Sequence, residues 1–204
     1  TVNVIAFLVA IISQVMGQEM PFTTIQLLWV NIIMDGPPAL ALGLEPVRDY
    51  VLKRKPINRH SGIIARSMFV NIIINAILII TIVFTQSAFN ILGATSEEQG
   101  TVIFSLFAFS ALFNALNCRE FGLNSTIPNF FKNKLALQII VVTGIIQIIF
   151  TQVFQSFFNS VSLDFDMWIK IILFASTILL SNEFVKLILR TMKNSRTMNF
   201  NSKN

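Results

Sequence analysis

Six apolar blocks, separated by short charged or turn-rich segments, constrain this 204-residue chain more than any other feature. They fall at roughly 1–17, 22–44, 63–87, 101–117, 135–155 and 167–189, and most match the about 20 residues a helix needs to cross a bilayer. Composition agrees: 54% of residues are hydrophobic and 12% charged, about half the charged fraction of a soluble domain. The reading is an all-α fold, a polytopic transmembrane six-helix bundle over 1–190, with a tail at 191–204 expected to be disordered. The first block is short and opens directly at Thr1-Val2-Asn3 within a helical pattern, with no Met and no charged leader. The chain is therefore expected to be part of a longer polypeptide.

Charge placement excludes some functions and orients the helices. The net charge of +5 is not that of a nucleic-acid binder, because the positive residues sit in alternate loops. Arg48, Lys53, Arg54, Lys55, Arg59 and Arg66 follow the second block. Arg119, Lys132 and Lys134 follow the fourth, and Lys186, Arg190, Lys193, Arg196 and Lys203 end the chain. The other loops carry Glu19, then Glu97 and Glu98, then Asp164 and Asp166. Positive residues collect on the cytoplasmic side of membrane proteins, so both ends of the chain are expected there, in a membrane that the sequence does not identify. The lone Cys118 has no disulfide partner and no metal-site spacing.

Within the second block stands Asn31-Ile32-Ile33-Met34-Asp35-Gly36-Pro37-Pro38. Asp35 lies 14 residues after Pro21, about 21 Å of helix rise, well inside a hydrocarbon core about 30 Å thick. An ionisable group at that depth is costly and marks ion or substrate paths. Asn31 is one helical turn earlier on the same face. Gly36-Pro37-Pro38 is expected to break the helix and free carbonyl oxygens beside the carboxylate. Asn3 is a further amide that could face the same point. Hard cations such as calcium take six to eight oxygens, so Asp35, Asn31 and Asn3 need ligands from outside the chain. The alternative is a proton relay or a buried structural acid.

Smaller signals complete the sequence. Thr95 and Ser96 before Glu98 and Gln99 form a capping-box pattern, and Asp164 or Asp166 fits an N-cap. Asn71, Asn75, Asn114, Asn117, Gln138, Thr143 and Gln147 are read as cross-helix hydrogen-bonding groups. Trp29 is expected to pack internally and Trp168 to join an interfacial belt. Glu183, Lys186 and Arg190 are read as a solvated cluster, and His60 carries no assignment. The basic stretch Phe184 to Phe200 is not favoured as a calmodulin target.

Gln26-Leu27-Leu28-Trp29-Val30-Asn31, with Met34-Asp35-Gly36-Pro37-Pro38-Ala39 and Leu44-Glu45-Pro46, closely resembles the sixth transmembrane helix of type II P-type calcium ATPases. Thr1-Val2-Asn3-Val4 is similar to the calcium-binding stretch of their fifth helix, and Asn114-Ala115-Leu116-Asn117 to the end of their eighth. The resemblance implies the C-terminal membrane domain of an ATP-driven calcium pump, helices five to ten, with Asp35, Asn31 and Asn3 as metal ligands. It implies one ion per cycle, because Ala6, Met34 and Ala111 stand where two-site pumps carry Glu, Thr and Glu. Met-Asp-Gly-Pro-Pro-Ala is nearest the secretory-pathway type, which also moves manganese, whereas Thr101-Val102-Ile103-Phe104 is nearer the plasma-membrane type. The phosphorylated Asp-Lys-Thr-Gly-Thr motif is absent, so no catalytic residue is assigned here, and Mg2+ and ATP belong to the full-length protein. The implied partners are the lipid bilayer and the N-terminal part of the same polypeptide. The alternatives are a manganese-preferring pump and a non-enzymatic channel or adaptor.

Overall fold

The computed structural model describes residues 2–15, 17, 20–44, 66–118 and 134–201. The described residues form α1 (Val2–Val15), α2 (Thr24–Trp29), a π-helical turn (Val30–Asp35) and α3 (Gly36–Gly43). These are followed by α4 (Arg66–Phe89), α5 (Gln99–Asn117), α6 (Lys134–Val153), α7 (Gln155–Phe158) and α8 (Phe165–Asn201). Five stretches are long and apolar enough to cross a membrane: Thr24–Gly43, Met68–Phe89, Gln99–Asn117, Lys134–Val153 and Phe165–Ile188. The 14-residue α1 is apolar but shorter.

Local chemistry sets the helix ends. The Gln26 N–H donates to Thr23 Oγ1 (3.2 Å) and the Thr23 N–H to Gln26 Oε1 (2.9 Å), a complete capping box at the start of α2. The box expected at 95–98 also forms: the Thr95 N–H and hydroxyl donate to Glu98 Oε2, and the Glu98 N–H to Thr95 Oγ1. These two Thr95 bonds hold the Glu98 carboxyl below the usual carboxylate range. Between α4 and this box, Asn90 takes a left-handed φ of 44°. Its side-chain amide bridges both ways to the Ala94 backbone (2.7 and 2.9 Å). Asp164 immediately precedes α8, and Asp166 in its first turn pairs with Lys170 at 2.6 Å.

The centre of the bundle is α5, buried continuously from Thr101 to Leu112. It pairs at three points with α8 and the segment leading into it. Val161 N–H donates to Thr101 Oγ1 (2.8 Å), Phe109 meets Trp168 edge-on (6.3 Å), and Asn117 Nδ2 donates to Ile178 O (3.4 Å). The nearly constant sequence offset means that α5 and α8 run parallel. The α4–α5 connection is antiparallel and is closed by Gln99 Nε2 donating to Ser87 O (3.1 Å). The turn of the chain ahead of α3 packs on α5 and α6, and α1 packs on α4.

Four expectations change. First, α8 continues to Asn201 through the segment expected to be a disordered tail; no Gly or Pro interrupts the sequence from Phe165 to Asn201, so it carries no stop signal. Second, Trp168 is not in an exposed belt but is 4% exposed inside the bundle, because the parallel α5–α8 packing covers it. Third, Lys186 is not solvated: it is 3% exposed, with Glu183 Oε1 at 3.6 Å. Burying an ammonium requires such pairing. Fourth, several polar groups bond within their own helices, as in Asn75 Nδ2 to Asn71 O and Thr143 Oγ1 to Ile139 O. Glu19, His60, most of the basic loop after α3, and Arg119 and Lys132 lie outside the described residues.

Candidate cation-binding segment

The irregularity in Thr24–Gly43 lies upstream of its prolines. Instead of breaking at Gly36-Pro37-Pro38, the chain stays helical and widens to i→i+5 winding over Val30–Asp35. Proline is tolerated at a helix's first positions, and Pro37 and Pro38 open α3 there. The widened turn supplies the slack that lets the helix resume around their rings.

This arrangement has a specific backbone consequence. The Ile33 carbonyl would accept from residue 37 in α winding and from residue 38 in π winding. Both are prolines, and neither has an N–H. One carbonyl in the turn that carries Asn31 and Asp35 therefore lacks a helical donor at either spacing. An unpaired backbone oxygen at membrane depth costs several kcal/mol unless a donor or a cation meets it. Gly36 leaves the neighbouring backbone open: a Cβ there would meet no atom within 4 Å.

The turn divides its side chains between two sides. Val30 and Met34 are fully buried, with Pro38 and Ala41 continuing the packed stripe. Asn31 and Asp35 share another face, where Asn31 is exposed and Asp35 half-buried. Asn3 is also exposed, on the side of α1 away from Val2, Ile5 and Val9. The α1 helix touches the π turn, so Asn3 belongs to a helix adjacent to the carboxylate. The three oxygen-bearing side chains are thus not enclosed by the described residues. No group of three His, Cys, Asp or Glu side chains is placed to hold a metal among them.

The preceding half of the segment is firmly held. Gln26 Nε2 donates to Phe158 O (2.8 Å), and Trp29 Nε1 to Gln147 Oε1 (2.7 Å). Gln147 Nε2 in turn donates to Thr151 Oγ1 (3.1 Å). Trp29 stacks on Phe150 at 4.8 Å and meets Phe158 edge-on at 5.1 Å, which bears out internal packing for this side chain. Sequence reasoning missed Gln26 as an anchor. The signal was present in Thr23-Thr24-Ile25-Gln26, a capping-box spacing.

The sequence that folds this way matches a known family, the C-terminus of cation-transporting ATPases. The family model of that description aligns with residues 19–188. The chain belongs to this family. It is 33% identical over 194 residues to the probable calcium-transporting ATPase 6, plasma membrane-type, of Oryza sativa subsp. japonica, covering 92% of this chain and 19% of that protein. It is 34% identical over 182 residues to plasma membrane calcium-transporting ATPase 1 of Gallus gallus, covering 83% and 15%. The Arabidopsis thaliana calcium-transporting ATPase 8, plasma membrane-type, is 32% identical over 178 residues, covering 83% and 17%. The chain therefore spans less than a fifth of the length of these relatives.

Proposed function

We propose that this chain is the ion-coordinating C-terminal membrane part of an ATP-driven pump that exports calcium from the cytosol, one ion per cycle. Calcium is the substrate, and Asp35 and Asn31 are its principal ligands here, assisted by Asn3. The observation that carries the reading is the π turn, which sets a carboxylate, an amide and a carbonyl with no α- or π-spaced N–H donor within one helical turn. Hard oxygen donors of this kind suit Ca2+. They are too few to complete its shell, so the remaining ligands come from the rest of the pump. Single-ion transport is supported by Ala6, Met34 and Ala111, which bring no oxygen ligand where two-site pumps have one. The alternation of basic and acidic loops supports a cytoplasmic location for both ends of the chain.

ATP and Mg2+ act elsewhere in the full protein, where phosphorylation alternates the site between two accesses. In this chain, Asn31 and Asp35 bind and orient the ion. The packed stripe Val30–Met34–Pro38 keeps the other side of the turn dry. The test is Asp35→Asn in the intact pump, which should abolish calcium-dependent phosphorylation. Undiminished phosphorylation would refute the assignment. Met34-Asp35-Gly36-Pro37-Pro38 also favours a second reading, a pump that accepts manganese. Competition between the two ions in transport assays separates them.

A further inference from the structure

Gln147 is a fully buried amide in the middle of α6, flanked by Ile145, Ile146, Ile148 and Ile149. Burying an amide is costly unless its groups are bonded, and apolar side chains pack transmembrane helices equally well. This amide is engaged at both ends. Its Oε1 accepts from Trp29 Nε1 (2.7 Å) and its Nε2 donates to Thr151 Oγ1 (3.1 Å). The indole N–H can only donate, so the amide has one orientation: oxygen toward Trp29, nitrogen toward Thr151. Thr151 is buried too, and its carbonyl accepts from the Ser160 hydroxyl (3.1 Å). A chain of buried polar contacts thus runs from Ser160 through Thr151 and Gln147 to Trp29.

The chain ends at a sensitive point. Trp29 immediately precedes the widened turn Val30–Asp35. Whatever fixes Trp29 therefore fixes the direction in which Asn31 and Asp35 leave the helix. Beyond the turn, α3 packs along α6 again, so one helix holds the segment on both sides of its irregular part. The bonds of Gln147 go to Trp29 and Thr151 and not to Asn31 or Asp35. Its influence on those two side chains passes through the indole.

We propose that Gln147 is a positioning residue that sets the pump's calcium affinity through Trp29, a role that rests on the reading of Asn31 and Asp35 as calcium ligands. The physical basis is preorganisation: side chains already held in the bound geometry lose less freedom when the ion arrives. A buried and satisfied polar contact specifies one arrangement, where apolar packing alone tolerates several. A merely structural Gln147 would change how much pump folds. A positioning Gln147 also changes how tightly the folded pump holds its ion.

The test is the calcium dependence of phosphorylation in the intact pump, with the half-saturating concentration separated from the maximum level. Gln147→Leu strands the indole N–H and should raise half-saturating calcium about three- to tenfold. Trp29→Phe keeps a ring but strands the Gln147 oxygen, and should shift it in the same direction. The double variant removes both partners together and should shift it by less than the two single changes combined. Thr143→Val breaks a bond inside α6 alone and should leave half-saturation unchanged. A Gln147→Leu pump with a lower maximum but unshifted half-saturation would overturn the proposal. So would an equal shift in Thr143→Val, or single shifts that simply add. Trp29→Phe carries the same decision if Gln147→Leu fails to fold. Asp35→Asn measured alongside keeps the two questions apart: calcium dependence that survives it refutes the ligand reading, whereas its loss together with an unshifted Gln147→Leu refutes the positioning role alone.

Discussion

The two halves of Thr24–Gly43 are opposites. Before the π turn, the side chains Gln26 and Trp29 make hydrogen bonds of 2.8 and 2.7 Å to distant parts of the chain, and two aromatic rings clamp Trp29. From the turn onward, Asn31 is exposed, Asp35 half-buried, and Ile33's carbonyl faces two prolines in place of donors. Under the proposed function, a helix that binds and releases an ion needs both properties: the first half would fix position, and the second would keep oxygen atoms uncommitted until an ion arrives. Such incompletely satisfied polar groups concentrate at functional sites.

The sharpest attack on this contrast removes the anchor. Trp29→Ala deletes the ring contacts and the bond to Gln147, and should destabilise the solubilised pump by about 3–5 kcal/mol in thermal or denaturant unfolding. A loss within experimental error would mean that the first half is not held as described. Gln26→Leu should cost less, about 1–3 kcal/mol, because it strands the Phe158 carbonyl and one half of the Thr23 box.

The second half should respond in the opposite sense. The double change Pro37→Ala with Pro38→Ala returns N–H donors to the Ile33 carbonyl. It should stabilise the segment yet lower the apparent calcium affinity about tenfold, or about 1.4 kcal/mol, read from the calcium dependence of phosphorylation. Unchanged affinity would show that the carbonyl does not serve the ion.

The smallest effect is at Glu98. Its folded-state carboxyl titrates below its ordinary value because Thr95 donates to it. The stabilisation is therefore present above the ordinary carboxylate range and is lost as pH falls through the depressed value. Thr95→Val should flatten the acid limb of a thermal-stability profile slightly. An identical profile would remove the box from the list of stabilising contacts.

The helices were readable because the bilayer requires long apolar blocks, and the Thr95–Glu98 cap was readable because its partners are local. The face each helix turns inward was not. In Phe165–Ile188 only 28% of the spanning residues are buried, yet the outward side chains Leu173, Leu180 and Phe184 are as apolar as the inward Ile171, Ala175 and Ile178. Lipid and protein interior select the same residues, so the burial of Trp168 and Lys186 left no trace in hydropathy. At the candidate site, an amide and a carboxylate on a shared face were legible from Asn31 and Asp35. The π winding was not. It arises where packing of Val30 and Met34 meets the constraint of two prolines, a tertiary compromise with no local sequence code.

Equilibrium binding of radioactive calcium to the intact pump tests the central assignment most directly. One ion should bind per phosphorylation site in the native protein, and Asp35→Asn should lose that ion by about 100-fold or more in affinity while Asn117→Leu, buried at the α5–α8 contact, retains it. Native-like binding by Asp35→Asn, or two ions bound per site in the unaltered pump, would contradict the ligand assignment in the first case and the single-ion stoichiometry in the second.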